Sequence, residues 1–390
     1  MKIAIILGTR PEIIKLSSII RELQNFSKEN FYSCKTCEAN LKHNQSNTHK
    51  DNKNIEYFII HTNQHYSKNM DEIFFKELNL PTPKYNLNVG SGTHGEQTAK
   101  MIDGIEKILI SENPDVVIVQ GDTNTVLAGA LSASKLHIKV AHVEAGLRSY
   151  DRNMPEETNR VLTDHISNYL FAPTEIAKHN LLKEGINKNV FVVGNTIVDA
   201  TIQNIEIAEN IYKYNNMSIK TNINEDYFLL TLHRAENTDN KERLTNIVNA
   251  IIKATEQYNK KIIFPMHPRT EKKLKEYNLF ENLQKNSKIE IIEPVGYLEF
   301  LLLEKNAKLI LTDSGGVQEE ACILGAPCIT LRDNTERPET IYIGSNILVN
   351  ADINKILDGI GVMANKKING NNPFGDGNSG KAIVKILLEN

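Results

Sequence analysis

The chain has 390 residues, 40% hydrophobic and 24% charged, with a net charge of −3 and four cysteines. That length allows two domains of ordinary size, and the composition is globular rather than disordered. The charge excludes a basic field for nucleic acid, the cysteines do not make a disulfide scaffold, and no apolar run approaches the ~20 residues of a membrane span.

These exclusions leave a cytoplasmic enzyme as the expectation, with no membrane or nucleic-acid partner. Lys2–Gly8 is a buried-strand pattern. The start MKIAIILGTRPE looks superficially like a signal peptide, but its apolar core is short and no small-residue cleavage site follows, so it reads as a first strand entering a tight turn. Pro11–Gln24 then has helical spacing. Arg10 lies in the turn and Lys15 in the first helical turns. Cations there oppose the helix dipole, which suits an anion to be held; an ion pair with Glu12 would explain Lys15 equally.

Ser27–Asn54 breaks the pattern and reads as a polar surface insertion. It carries Cys34, Cys37, His43 and His49, but the Cys-to-His gap is far shorter than finger spacing, so no metal site is assigned. Tyr57–His61 is a strand, Asn69–Leu78 a helix, and Gly90–Gly95 matches GxGxxG only literally. That match lies far from a first strand–helix turn, and a flexible loop before helix Glu96–Ser111 accounts for it. Asp115–Gln120 is a strand ending at Asp122, which is either the cap of the next helix or a site group.

Strand Lys139–Val143 leads into HVEAGLRSYDRNMPEETNR, residues 142–160. Glu144 sits just past the strand's carboxyl end. Pro155 opens a helix, and Glu156 stands in its first turn, with Asn159 and Arg160 on adjacent turns. Ligands of open α/β sheets bind outside the carboxyl ends of the strands, so Glu144 and Glu156 are candidates for acid/base work. A solvated acidic loop complementing the helix dipole is the competing reading. Strand Phe191–Gly194, helix Thr196–Tyr212 and the polar run Lys213–Glu225 follow.

The second half repeats the grammar. Tyr227–Leu232 ends in His233, Lys261–Pro265 in His267, and Lys308–Thr312 in Asp313-Ser314-Gly315-Gly316. A strand, a Ser-Gly-Gly turn and a helix place free N–H groups where a phosphate can approach, although a tight turn capped by Ser314 would look the same. Glu320, nearly two turns on, is placed as an acceptor of ribose hydroxyls. The next strand ends near Arg332 and Arg337, and the Asn- and Gly-rich stretch Lys366–Gly380 precedes a last helix, Lys381–Leu388. The expected domains are residues 1–212, with the insertion 27–54, and residues 213–365, with 366–390 a tail and helix packing back on the first domain. No Walker motif or convincing dinucleotide fingerprint appears, so a bound nucleotide would be substrate rather than hydride carrier.

GTRPEIIK, GDTNT, HVEAGLRS, MPEETNR, GNTIVDA, LHRAEN, HPR, TDSGGVQEE and RDNTERPE occur in that order. With them the chain resembles the non-hydrolysing UDP-N-acetylglucosamine (UDP-GlcNAc) 2-epimerases over nearly all its length. The resemblance implies two Rossmann-like, doubly wound α/β domains facing a cleft (GT-B type), usually in a homodimer. It implies reversible conversion of UDP-GlcNAc to UDP-N-acetylmannosamine (UDP-ManNAc) without nicotinamide or another cofactor. It makes Asp122, Glu144 and Glu156 the catalytic carboxylates, with His233 near the diphosphate. Arg10, Lys15 and Arg337 match substrate-binding cations; Ser314, Gly315 and Gly316 match the diphosphate cradle, and Glu320 the ribose contact. Phe300 matches an aromatic that packs on uracil, although by itself it reads as a core residue of YLEFLLLEKN; Val295 matches a backbone contact to the base. Gln64 matches one residue of an allosteric pocket of bacterial members, whereas Ser67 and Glu96 stand where those enzymes have Gln and Arg. The alternatives are a hydrolysing epimerase that releases ManNAc and UDP, and a catalytically silent nucleotide-sugar sensor.

Overall fold

A computed structural model describes residues 1–37, 55–63, 74–213, 223, 225–368 and 372–390, with the side chains of 27–37 outside the description. The chain divides into two compact units. The first is Met1–Ala200 with Phe374–Asn390, and the second is Thr201–Pro373.

The first unit is built on strands β1 (Lys2–Leu7), β2 (Glu56–His61), β3 (Tyr85–Asn86), β4 (Val116–Gln120), β5 (Lys139–Val143), β6 (Tyr169–Ala172) and β7 (Val190–Val192). They form one parallel sheet in the order β3-β2-β1-β4-β5-β6-β7. Ile3–Leu7 and Val116–Val119 are wholly buried. Helices cover both faces of such a sheet, which is why these strands are continuous apolar runs rather than alternating ones. On one face, Met101, Ile105 and Leu109 of helix His94–Glu112 pack with Val126, Ala130 and Ala133 of helix Asn124–Lys135. The first of these helices begins at a capping box of Thr93 and Glu96.

The second unit contains β8 (Tyr227–Thr231), β9 (Lys261–Pro265), β10 (Ile289–Ile292), β11 (Leu309–Thr312), β12 (Cys328–Thr330) and β13 (Asn346–Leu348). These too are all parallel, in the order β10-β9-β8-β11-β12-β13. Both sheets therefore reverse their winding direction once, between β1 and β4 in the first and between β8 and β11 in the second. The loops leaving the carboxyl ends of those four strands diverge there and leave a crevice.

Two elements differ from the sequence reading. The first helix runs Arg10–Cys37 rather than ending at Gln24; the polar residues after Phe26 include neither Gly nor Pro, so nothing local stops it. The last helix starts at Ser379, where Asp199 accepts the Gly380 N–H at 2.8 Å and Gly380 lies so close to Ser18 that a Cβ would stand 2.9 Å from its hydroxyl. Cys34 and Cys37 lie on the backbone of the first helix; His43, His49, Gln64 and Ser67 lie outside the described residues. Among the described residues no helix is long and apolar enough to cross a membrane, and no group of three His, Cys, Asp or Glu could hold a metal ion.

Candidate active site

The crevice of the first unit is lined by the turns after β1 and β4. Glu12, buried in the first turn of its helix, accepts the Gly8 N–H at 2.6 Å and the Thr9 N–H at 2.9 Å on one oxygen. Its other oxygen accepts the Thr123 hydroxyl, so one carboxyl ties the two turns together. Gly8 is required by space: a Cβ there would stand 2.1 Å from the Thr62 hydroxyl and 2.3 Å from that of Thr125, which hydrogen-bond to each other at 2.8 Å. Burial pushes the Glu12 carboxyl up to about 7, against the lowering effect of the hydrogen bonds from Thr123, Gly8 and Thr9. A folded value raised above the ordinary 4.5 contributes stability that is full below about pH 4.5 and is lost as pH rises through about 7. Wild type should therefore lose thermal stability across that interval by roughly 2–4 kcal/mol, and Glu12→Gln should flatten the slope. Parallel pH profiles of the unfolding midpoint would contradict this.

Glu144 stands at the end of β5 in the left-handed backbone region, with φ +66°, a conformation that costs a non-glycine residue on the order of 1 kcal/mol and is concentrated at functional sites. Lys15 Nζ reaches its carboxylate at 2.6 Å, with both side chains largely buried, and the Gln120 amide donates to the other oxygen. Lys15 thus pairs with Glu144, not with Glu12. Asp122 is held by the Arg160 guanidinium, and its carbonyl accepts from the Asn159 amide at 2.9 Å. It is not the helix cap: Thr123 occupies that position and accepts the Val126 N–H. Arg10 opens its helix with an exposed side chain at the same rim.

Glu156 and Glu157 part company in the first turn of helix Pro155–Ile166. Glu156 is exposed. Glu157 is buried and accepts the Ser149 N–H at 2.9 Å, the Ser149 hydroxyl at 2.9 Å and the Tyr150 N–H at 3.0 Å, while Arg160 adds a contact at 2.5 Å. Burial pushes this carboxyl up, but the Ser149, Tyr150 and Arg160 contacts outweigh it and hold it below the ordinary range. Glu157 therefore shapes the loop that delivers Glu156 and leaves Glu156 to solvent. Behind Asp122, His142 is wholly buried and bridges Asp164 at 2.7 Å and the Gly121 carbonyl at 2.8 Å. Asp164 also takes Arg148 and the Gly146 N–H; a Cβ at Gly146 would meet the Ala177 carbonyl at 2.2 Å.

In the second unit, Asp313 organises the crevice between β8 and β11. It is fully buried and accepts the backbone N–H groups of His233 and Arg234 at 3.1 and 2.9 Å. The His233 ring lies 3.2 Å from it and is partly exposed. Burial raises the Asp313 carboxyl, and these contacts with His233 and Arg234 return it below the ordinary range. Helix Gly315–Leu324 begins at Ser314, whose side chain makes no capping bond; this removes the reading of Ser314 as a mere cap. A Cβ on Gly315 or Gly316 would meet nothing nearer than 3.9 Å. The protein's own packing thus does not require glycine there, whereas an anion drawn against the first N–H groups of the helix would.

A cavity of about 220 Å³ joins His233, His267, Val295, Phe300, Ser314 and Val317. Phe300 is partly buried: it packs against the core of this unit and also lines the cavity. Glu320 is buried on the next turns of the glycine-led helix, and Arg337 makes a 2.6 Å ion pair with Glu319. Sequence reasoning missed Glu12, Thr123, Glu157, Asp313, Glu319 and His267 as parts of these constellations. His267 and Asp313 carried a signal, since each follows a strand as His233 does.

Residues 47–388 match the family model described as UDP-N-acetylglucosamine 2-epimerase. The chain belongs to that family. A UDP-N-acetylglucosamine 2-epimerase of Methanocaldococcus jannaschii is 66% identical over 99% of each chain, and one of Methanococcus maripaludis is 60% identical over 99% of this chain and 98% of its own. A crystal structure of the M. jannaschii UDP-GlcNAc 2-epimerase in complex with UDP-GlcNAc and UDP superimposes with a TM-score of 0.84 at 65% identity, covering both chains completely.

Proposed function

We propose that this chain interconverts UDP-GlcNAc and UDP-ManNAc by eliminating and re-adding UDP, acting as a homodimer in the cytoplasm. Glu144 carries the reading: a strained, buried carboxylate gripped by Lys15 and Gln120 at the switch point of the first sheet. The full-length kinship with chains named for this activity supports it.

The C2 hydrogen of the sugar is not next to a carbonyl, so simple enolisation cannot remove it. Elimination across C1–C2 can. A carboxylate takes the C2 proton, the C1–O bond breaks with its electrons left on UDP, and a 2-acetamidoglucal remains. Proton return to the opposite face and re-addition of UDP at C1 give the epimer. Such a scheme asks for carboxylates that reach both faces, here Asp122, Glu144 and Glu156, and for fixed donors on the departing diphosphate. Ser314, Gly315, Gly316 and His233 suit the diphosphate, with Arg10 and Arg337 as further cations; Phe300 and Val295 suit the base and Glu320 the ribose.

Incubation of UDP-GlcNAc with the pure protein, without added cofactor, should yield UDP-ManNAc as the main product on chromatography. Free ManNAc with UDP as the main products would replace this reading with a hydrolysing epimerase. Calorimetric binding of the UDP-sugar without turnover would make the chain a sensor.

A further inference from the structure

Helix Tyr297–Asn306 buries Leu298, Leu301, Leu302, Leu303 and Glu304. Four of the five are leucine. The fifth is a carboxyl at 0% exposure, beside an apolar cluster that includes Leu303, Ile310, Ala321 and Cys328. Neither oxygen of Glu304 meets a partner at ordinary hydrogen-bond geometry. The titratable groups that act on or feel it are Glu320 from the glycine-led helix, Tyr297 from its own helix, Tyr227 from β8 and Cys328 from β12. None is a cation. A buried carboxylate without a cation or a donor is expensive, and a leucine or methionine would pack better at that position. The acid is therefore retained at a cost in stability, a pattern expected where function demands the group.

What Glu304 faces is Glu320, with the Tyr297 hydroxyl alongside. We propose that Glu304 is a positioning residue that stays a neutral acid and offers its O–H to Glu320, so that the pair holds one proton and Glu320 presents a fixed, singly charged carboxylate to the ribose hydroxyls. This rests on the reading of Glu320 as the ribose contact. The proton belongs on Glu304 because Glu304 is fully buried while Glu320 is 7% exposed; two like charges at close range in the interior do not both ionise. Burial, followed by the facing Glu320, pushes the Glu304 carboxyl well above the ordinary range, in line with that placement. On the alkaline side the shared proton is lost, the two carboxylates repel, and the ribose acceptor moves.

Titrating UDP into wild type, Glu304→Gln and Glu304→Leu from neutral to alkaline pH tests this. Wild-type affinity should fall on the alkaline side by roughly tenfold, the worth of one charge-assisted hydrogen bond. Glu304→Gln keeps a donor and should match wild type near neutrality with no alkaline fall. Glu304→Leu should bind roughly tenfold more weakly near neutrality, although its unfolding midpoint equals or exceeds that of wild type. Equal UDP affinity in all three proteins, or an alkaline fall that persists in Glu304→Gln, would overturn the proposal. The infrared spectrum of wild type at neutral pH should also show protonated-carboxyl absorption that Glu304→Gln reduces, leaving the contribution of the buried Glu12, and absorption unchanged in the variant would overturn it too. Failure of wild type itself to bind UDP is a separate result, which would overturn the parent reading and this proposal with it.

Discussion

Glu144→Gln should lower turnover by on the order of 10²-fold or more, equivalent to roughly 2.7 kcal/mol of transition-state stabilisation, while UDP binds nearly as before. Glutamine keeps the shape and can still accept from Lys15 Nζ, which stands 2.6 Å away, but it cannot take or give a proton. Apart from Arg10, the groups assigned to UDP are on the other unit, and none of them is altered. Glu156→Gln should act in the same direction, and its exposure means that it should do so without a change in the unfolding midpoint. The comparison separates chemistry from scaffold, because a variant that slows turnover with unchanged stability and unchanged UDP affinity has lost a reacting group. Steady-state rates like those of wild type in both variants would remove these two residues from the reaction.

Arg160→Met should cost more in stability than either. The guanidinium binds Asp122 on one side and Glu157 on the other, with 9% of the side chain exposed. Removing it leaves Glu157 buried without its cation, and breaking a buried pair in that way costs roughly 3–5 kcal/mol. The loop that Glu157 pins through Ser149 and Tyr150 would loosen, and Asp122 would lose its partner. Denaturant unfolding should report the loss, accompanied by a fall in turnover. If Arg160→Met unfolded at the same denaturant concentration as wild type, the guanidinium would not be the tie between strand end and helix described here.

The strands could be read from the sequence because a parallel sheet covered on both faces demands uninterrupted apolar runs, and Ile3–Leu7 and Val116–Val119 are such runs. The residues at their carboxyl ends could be read for the same reason: Asp122, Glu144, His233 and Ser314 each lie within two residues of a strand's end. Beyond that, local patterns fail in identifiable ways. Asp122 and Thr123 are both good caps, and only the folded turn shows that Thr123 takes the role. Adjacent Glu156 and Glu157 point about 100° apart on a helix, so one faces solvent and the other the Ser149 loop, a choice that rests on tertiary contacts. Glu12 resembles a charge complementing the helix dipole until the neighbouring strand brings Thr123 to it. Glu304 sits in a leucine-rich helix whose polar positions look alike in sequence, and Glu320, the partner that gives it meaning, comes from the next helix.

Elimination requires UDP to depart and the C2 proton to exchange with groups open to solvent, and running the reaction in deuterated water tests both at once. Proton NMR should show UDP-ManNAc carrying deuterium at C2, formed from unlabelled UDP-GlcNAc with no added cofactor. UDP-ManNAc that retains the original C2 hydrogen would contradict the elimination route, and with it the roles given to Glu144 and Glu156.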